Sequence, residues 1–250
     1  MNKQSFQSIS QRCAPYVLSA LLLGLSYPSY PYVRLEALAW VWMVPMLLAL
    51  KSVESFPKFL RNVYLTLLCV AVVGMSWLAL STFLGALLLF AIFPLILSVP
   101  FVVFYFVRQS FGWRGALWSL PVVWTACDWL YQGTEGSLGW LPIGVTQSNL
   151  YWLVQYIDVT RVWGITFWLV LFNVLIVMAI DDWREQFSVS GFQFSAVSSQ
   201  LKIALARKII VVAALMLVFP MAYSAYVLSK RRALRQEIIV SFPFCWCSRT

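Results

Sequence analysis

The sequence predicts an all-α fold: a polytopic membrane helix bundle of about seven transmembrane helices. Three observations carry this. Of the residues, 62% are hydrophobic and only 11% charged, against about a quarter charged in soluble domains, and the mean hydropathy is +0.81. Apolar stretches of bilayer length recur along nearly the whole chain. The short polar loops between them alternate in positive charge. A soluble domain of 250 residues has too little interior to hide so much apolar surface, so lipid must be the solvent.

Windows of about 20 residues place spans near 14–27, 35–50, 63–81, 84–107, 116–131, 162–180 and 209–228. The first two are short, joined by the Pro/aromatic turn 27–32, and read as tilted or partly interfacial. Pro94, Pro100 and Pro121 lie inside spans and are expected to kink them, which a bundle tolerates where neighbours re-satisfy the backbone. Lys3 and Arg12 precede an apolar run, as in a signal peptide, but no small-x-small cleavage site follows. The first helix therefore reads as uncleaved. The predicted domains are a cytoplasmic tail 1–13, a transmembrane domain 14–228 and an exported basic tail 229–250.

Loop charges predict the orientation. Lys3 and Arg12, then Lys51, Lys58 and Arg61, then Arg108 and Arg114, then Arg184, Lys202, Arg207 and Lys208 fall on one side. The other side holds only Arg34 and Arg161 up to residue 228. The positive-inside rule makes the N-terminus cytoplasmic. Seven spans then put the C-terminal tail outside, in spite of Lys230, Arg231, Arg232 and Arg235. Either the span count is off by one, or the tail is the root of an exported domain.

The net charge of +9 resides in these loops. It predicts affinity for anionic lipid head groups and no nucleic-acid partner. With no His in the chain, Ser-His-Asp and Cys-His chemistry is excluded, and the five cysteines form no common zinc constellation or disulfide framework. Gly133, Gly136 and Gly139 lack the Lys-Ser/Thr of a phosphate loop. No metal site and no cofactor are predicted.

Of nine carboxylates, Asp128 is the one taken to fall inside a span. A carboxylate in a membrane helix is costly and so a functional candidate. Its position near a helix end, beside Trp129 and Tyr131, also permits a plain solvated carboxylate. Asn173 reads as interhelical hydrogen-bonding glue. Asp158 and Arg161, three apart at a helix start, are expected to form a surface ion pair.

Segment 124–173 is the most distinctive. It reads Trp124-Thr-Ala-Cys-Asp128-Trp129-Leu, a Gly-rich loop, Gly139-Trp140-Leu-Pro142-Ile-Gly144-Val-Thr-Gln147-Ser148, then Gln155-Tyr-Ile-Asp158, Val162-Trp163-Gly164-Ile-Thr166-Phe167 and Phe172-Asn173. This pattern resembles the membrane domain of apolipoprotein N-acyltransferases. That family has a Trp-acidic-Trp helix end, a Gly-aromatic-Pro-Trp loop with Gly-x-x-Gln, and a helix carrying an Asn. Asp128 stands where the family usually has Glu, Tyr131 where Arg is common, Trp163 where Tyr is usual, and Thr166 replaces Ser. The resemblance extends over about 14–235 and is specific only around the fifth and sixth spans.

The resemblance implies phospholipid-dependent N-acylation of the S-diacylglyceryl cysteine of apolipoproteins, the last step of lipoprotein maturation, in the bacterial cytoplasmic (inner) membrane. In the family a Cys thioester, a Glu base and a Lys that supports the oxyanion reside in a periplasmic nitrilase-like domain after the seventh helix. Here the tail Phe242-Pro-Phe-Cys245-Trp-Cys247-Ser-Arg-Thr250 does not continue such a domain, as after a frameshift or premature stop. The expectation is a truncated chain with no catalytic residue of its own. Its partners would be membrane phospholipid, and an apolipoprotein only if a catalytic domain is supplied. Asp128, Trp129, Trp140, Pro142 and Gln147 are the candidates for a lipid or substrate groove, with Trp129 and Trp140 at head-group depth. For both tryptophans an aromatic belt is the plainer reading. Two other functions stay open: a phospholipid-binding scaffold for a separate catalytic chain, and a small transporter with Asp128 in its pathway, which the lack of an inverted repeat disfavours.

Overall fold

The computed structural model describes residues 3–28, 34–135, 137–189, 211, 218 and 220–233. Among these the regular structure is all helix, with no strand: α1 Lys3–Ser26, α2 Met43–Leu50, α3 Phe56–Gly74, the one-turn α4 Leu78–Ser81, α5 Phe83–Gln132 and α6 Ile157–Val189. Residues 220–233 form a further helix, α7. Two 3-10 turns, Glu36–Trp40 and Ile143–Gln147, complete the described elements. The expectations about the tail 234–250 lie outside the described residues.

Three helices are long and apolar enough to cross a membrane: Phe56–Gly74, Phe83–Gln132 and Ile157–Glu185. The chain is a membrane protein built as a helix bundle. At 1.5 Å per residue, the 50 residues of α5 would run about 75 Å, more than twice the ~30 Å of a hydrocarbon core. The chain solves this by breaking at Gly112, whose backbone is at φ 72, ψ 179, a conformation glycine alone adopts cheaply. The expected fourth and fifth spans are the two arms of α5. Pro94, Pro100 and Pro121 lie inside its two arms. All three keep helical backbone angles, and the break falls at the glycine.

The second expected span is also broken. A 3-10 turn covers 36–40, Val41 and Trp42 form a turn, and only 43–50 is α-helical. The break leaves backbone groups that lipid cannot hydrogen-bond. Asn173 of α6 supplies the partners: its Oδ1 accepts from the Met43 N–H at 2.9 Å, and its Nδ2 donates to the Ala39 carbonyl at 3.1 Å. The expectation that Asn173 is interhelical glue is met. Ser19 of α1 accepts from the Met46 N–H in the same way.

Helix α1 packs on α3, α3 on α5 and α5 on α6. The core between them is aromatic, with Trp124 edge-on to both Trp42 and Phe101. The polar contacts sort the loops to two ends. At one end Arg108 donates to the carbonyls of Leu50, Lys51 and Val53. There too Lys51 Nζ lies 3.0 Å from the buried Asp181, which also accepts from Trp113 Nε1 at 2.7 Å. Arg114 pairs with Asp182 beside them. At the opposite end lie residues 27–28, 34–40, 75–82, 133–135 and 137–161.

The expected Asp158–Arg161 ion pair does not form. Asp158 pairs instead with Arg231 of α7, at 3.0 Å, and Arg161 turns its guanidinium onto the Trp163 ring, 5.5 Å from the centroid. The reason is the backbone. Arg161 sits at φ 57, ψ −168, breaking α6 after its first turn, so residues 158 and 161 do not share a helical face. This is a glycine-type region that costs about 1–3 kcal/mol for another residue. The Arg231 contact also sets the far end of α7 beside the start of α6.

Candidate functional site

The motif residues of 124–173 converge at the end of the bundle opposite Lys51. Asp128, in the last turns of α5, is 5% exposed, so the solvated helix-end reading does not hold. Its Oδ2 accepts a 3.1 Å hydrogen bond from Thr166 Oγ1 of α6. The same hydroxyl accepts from the Gly144 N–H at 3.3 Å. One hydroxyl thus joins α5, α6 and the 143–147 turn. Residue 144 must be glycine for steric reasons, since a Cβ there would lie 2.7 Å from the Val162 carbonyl oxygen and 3.0 Å from Thr166 Oγ1.

Gln147 is fully buried and uses both ends of its amide. Its Oε1 accepts from Trp40 Nε1, and its Nε2 donates to the Glu36 carbonyl and to Thr146 Oγ1, all at 2.9 Å. It therefore clamps one 3-10 turn onto the other. Pro142 is buried and at φ −57, ψ 137 starts the second turn, where its fixed φ suits the chain. Tyr27 reaches across to donate to the Leu141 carbonyl at 3.2 Å. Burial pushes the Tyr156 phenol up, so it stays protonated beneath this loop.

Of the five candidate groove residues, then, the structure buries Asp128, Pro142 and Gln147 in the scaffold under the loop. Trp129 and Trp140 are the exposed ones, 56% and 38%, and they line different surfaces. Trp140 packs edge-on to Trp77, with ring centroids 6.0 Å apart. Together with Tyr27, Met75 and Val145 they wall an open concavity of about 330 Å³. Trp129 belongs to a second trough of about 340 Å³ between α5 and α6, shared with Val122, Trp163 and Phe167.

Two residues escape sequence reasoning. Trp77 joins the site from the loop after α3, about 60 residues from Trp140 in the chain; no local pattern links them. Glu36 is buried, and its Oε1 has no hydrogen-bond partner among the described residues. An acidic residue at the start of the second apolar span is the signal that marks it. Among the described residues no group of His, Cys, Asp and Glu is placed to hold a metal ion.

The residues of this converging network lie within a stretch, 19–175, that matches the family model described as the apolipoprotein N-acyltransferase N-terminal domain. That match spans more than half of the chain. The chain belongs to the apolipoprotein N-acyltransferase family. An apolipoprotein N-acyltransferase of Chlorobaculum tepidum is 44% identical over 173 residues, 69% of this chain and 32% of that protein. One of Geobacter metallireducens is 29% identical over 170 residues, 64% of this chain and 32% of the relative. Apolipoprotein N-acyltransferase 1 of Treponema denticola is 29% identical over 165 residues, 63% of this chain and 29% of the relative. The chain thus spans about a third of the length of the curated N-acyltransferases it matches. No solved structure matches it. Within the N-acyltransferase N-terminal domain, the matched stretch ends just after Asn173, so the hydrogen bonds of Asp128, Gln147 and Asn173 are all internal to it.

Proposed function

We propose that this chain is the membrane-embedded part of an enzyme of phospholipid-dependent N-acylation, acting on the S-diacylglyceryl cysteine at the N-terminus of apolipoproteins. The observation that carries the reading is the rigid outward loop. Residues 138–147 are tied to Tyr27 just after α1, to the 36–40 turn, to Tyr131 of α5 and to Thr166 of α6 by side-chain hydrogen bonds that leave Trp140 and Trp77 facing an open groove. On this reading the groove admits a phospholipid acyl chain at head-group depth, where indole rings are at home. Asp128 and Gln147 act on it only by positioning the loop. Asp128 lines neither trough, which counts against a transport pathway through it.

Acyl transfer through a thioester needs an activated thiol, a base and an oxyanion donor in one formed pocket. The described thiols Cys13 and Cys69 are exposed, and Cys127 is half-buried within α5. We therefore assign the covalent chemistry to a nitrilase-like catalytic unit bearing Cys, Glu and Lys, seated over the 132–156 loop. The membrane is the bacterial cytoplasmic membrane, with Lys51, Arg108 and Arg114 on the cytoplasmic side, as their positive charge favours. The Trp140 end and the end of α7 then face the periplasm.

The test is acylation in membranes of a bacterium depleted of its own N-acyltransferase, with the apolipoprotein N-terminus read by mass. The wild-type chain supplied with a family catalytic unit is expected to yield the N-acylated form, and the chain alone is not. Acylation by the chain alone would overturn the need for that unit, and none in the combination would overturn the reaction. Undiminished acylation with Trp140→Ala would overturn the groove.

A further inference from the structure

The second trough, between the outer arm of α5 and the start of α6, is apolar and carries a guanidinium at its outer end that the acyl-transfer reading does not use. Its deep part is walled by Val122 and Phe167, and its outer part by Trp129 and Trp163. From Val122 to Trp129 the helix advances about 10 Å at 1.5 Å per residue, roughly two thirds of one leaflet's ~15 Å of hydrocarbon. At the outer end the Arg161 guanidinium stacks on the Trp163 ring that forms the wall. It is exposed and has no carboxylate partner among the described residues, because Asp158 pairs with Arg231. An unpaired guanidinium above an apolar slot has the charge order of a glycerophospholipid, with phosphate outside and acyl chain inward.

We infer that the α5–α6 trough holds a tightly bound glycerophospholipid, with its phosphate on Arg161 and one acyl chain along Val122, Trp129 and Phe167. A guanidinium matches a phosphate in planar, charge-assisted geometry, and the Trp163 ring beneath it holds the fork in place. The strained backbone of Arg161 belongs to the same site, since a helical residue 161 would carry its side chain elsewhere around α6. This site is separate from the Trp77–Trp140 groove and does not depend on the acyl-transfer reading. Its lipid anchors the break at the start of α6 and is not consumed.

The full chain, purified in detergent, is titrated with palmitoyl-oleoyl phosphatidylglycerol and, separately, with the diacylglycerol of the same chains. Native mass spectrometry reads the bound fraction. The wild-type chain is expected to hold the phospholipid about tenfold more tightly than the diacylglycerol, the size of one charge-assisted contact. Arg161→Gln is expected to erase that difference, and Arg161→Lys to restore part of it. Ala126→Phe, which fills the trough from an exposed position on α5, is expected to lower retention of both lipids with Arg161 intact. Equal retention of phospholipid and diacylglycerol by the wild-type chain overturns the proposal, as an annular lipid only. So does undiminished phospholipid preference in Arg161→Gln, or unchanged retention in Ala126→Phe.

Discussion

Thr166 Oγ1 donates to Asp128 Oδ2 at 3.1 Å while accepting from the Gly144 amide. A hydroxyl has one proton and two lone pairs, so this single group satisfies a buried carboxylate oxygen and a buried backbone N–H together. Thr166→Val keeps the shape and removes both bonds. It is expected to lower stability by about 1–3 kcal/mol, read as a fall in thermal midpoint in detergent. Thr166→Ser is expected to stay close to wild type. A Val variant as stable as the Ser variant would show that the network contributes nothing.

Gly144→Ala tests the same junction by steric means. The added Cβ meets a backbone carbonyl at 2.7 Å, which cannot rotate away as a side-chain tip can. Overpacking of this kind costs about 1–3 kcal/mol. The expected outcome is a lower thermal midpoint together with weaker protection of the 143–147 amides in hydrogen exchange. A substitution at Gly139, where a Cβ meets nothing within 4 Å, is the matched control and should be near neutral.

Asn173→Leu removes the partners of Met43 N–H and Ala39 C=O. Polar contacts between membrane helices contribute about 0.6 kcal/mol each and at most about 1.7, so a loss of roughly 1–3 kcal/mol is expected. The specific sign is local: the Met43 amide should exchange much faster while the middle of α3 is unaffected. Uniform loosening of the whole bundle would contradict a role confined to the broken second span.

The Asp158–Arg231 pair is half-exposed on both sides, so its energy is small, within about 1 kcal/mol, and Asp158→Asn is expected to leave stability nearly unchanged. Its value is positional. Cysteines at 158 and 231 in a chain freed of its other thiols should be joined by a short bifunctional thiol reagent that spans the length of the lost Arg side chain, and cysteines at 161 and 231 much less. Cross-linking in the reverse order would place Arg231 with the wrong partner.

Asp181 is buried and binds both Lys51 and Trp113. Asp181→Leu removes the partner of an ammonium and of an indole N–H. Because Lys51 is partly exposed and can turn to water, the expected loss is modest, about 1–2 kcal/mol. Thermal melts of Asp181→Leu and of the double variant with Lys51→Met distinguish the cases. The double variant should recover part of the loss if the stranded charge is its source.

The sequence alone determined the class of this protein and placed the spans 84–107, 116–131 and 162–180 within the long helices α5 and α6. Hydrophobic burial is additive along a chain, so a run such as 84–107 declares its solvent without reference to any partner, and charge alternation orders the loops. It also marked Asp128 and Asn173, because polar groups inside a span are costly unless paired, while Gln147 and Thr166 stood out only through the resemblance to the family pattern. What only the tertiary structure decided is what each is paired with. Asp128 meets Thr166 across 38 residues and Gln147 meets Glu36 across 111, and no periodicity encodes such distances. Helical spacing predicts Arg161 as the partner of Asp158. A single backbone break separated them, and α7 took the carboxylate. Spacing rules hold only while the helix continues, and α5 and α6 break at Gly112 and Arg161. A glycine marks the first break in advance. The second falls on an arginine whose strain the surrounding packing must impose, and that packing is a property of the whole bundle.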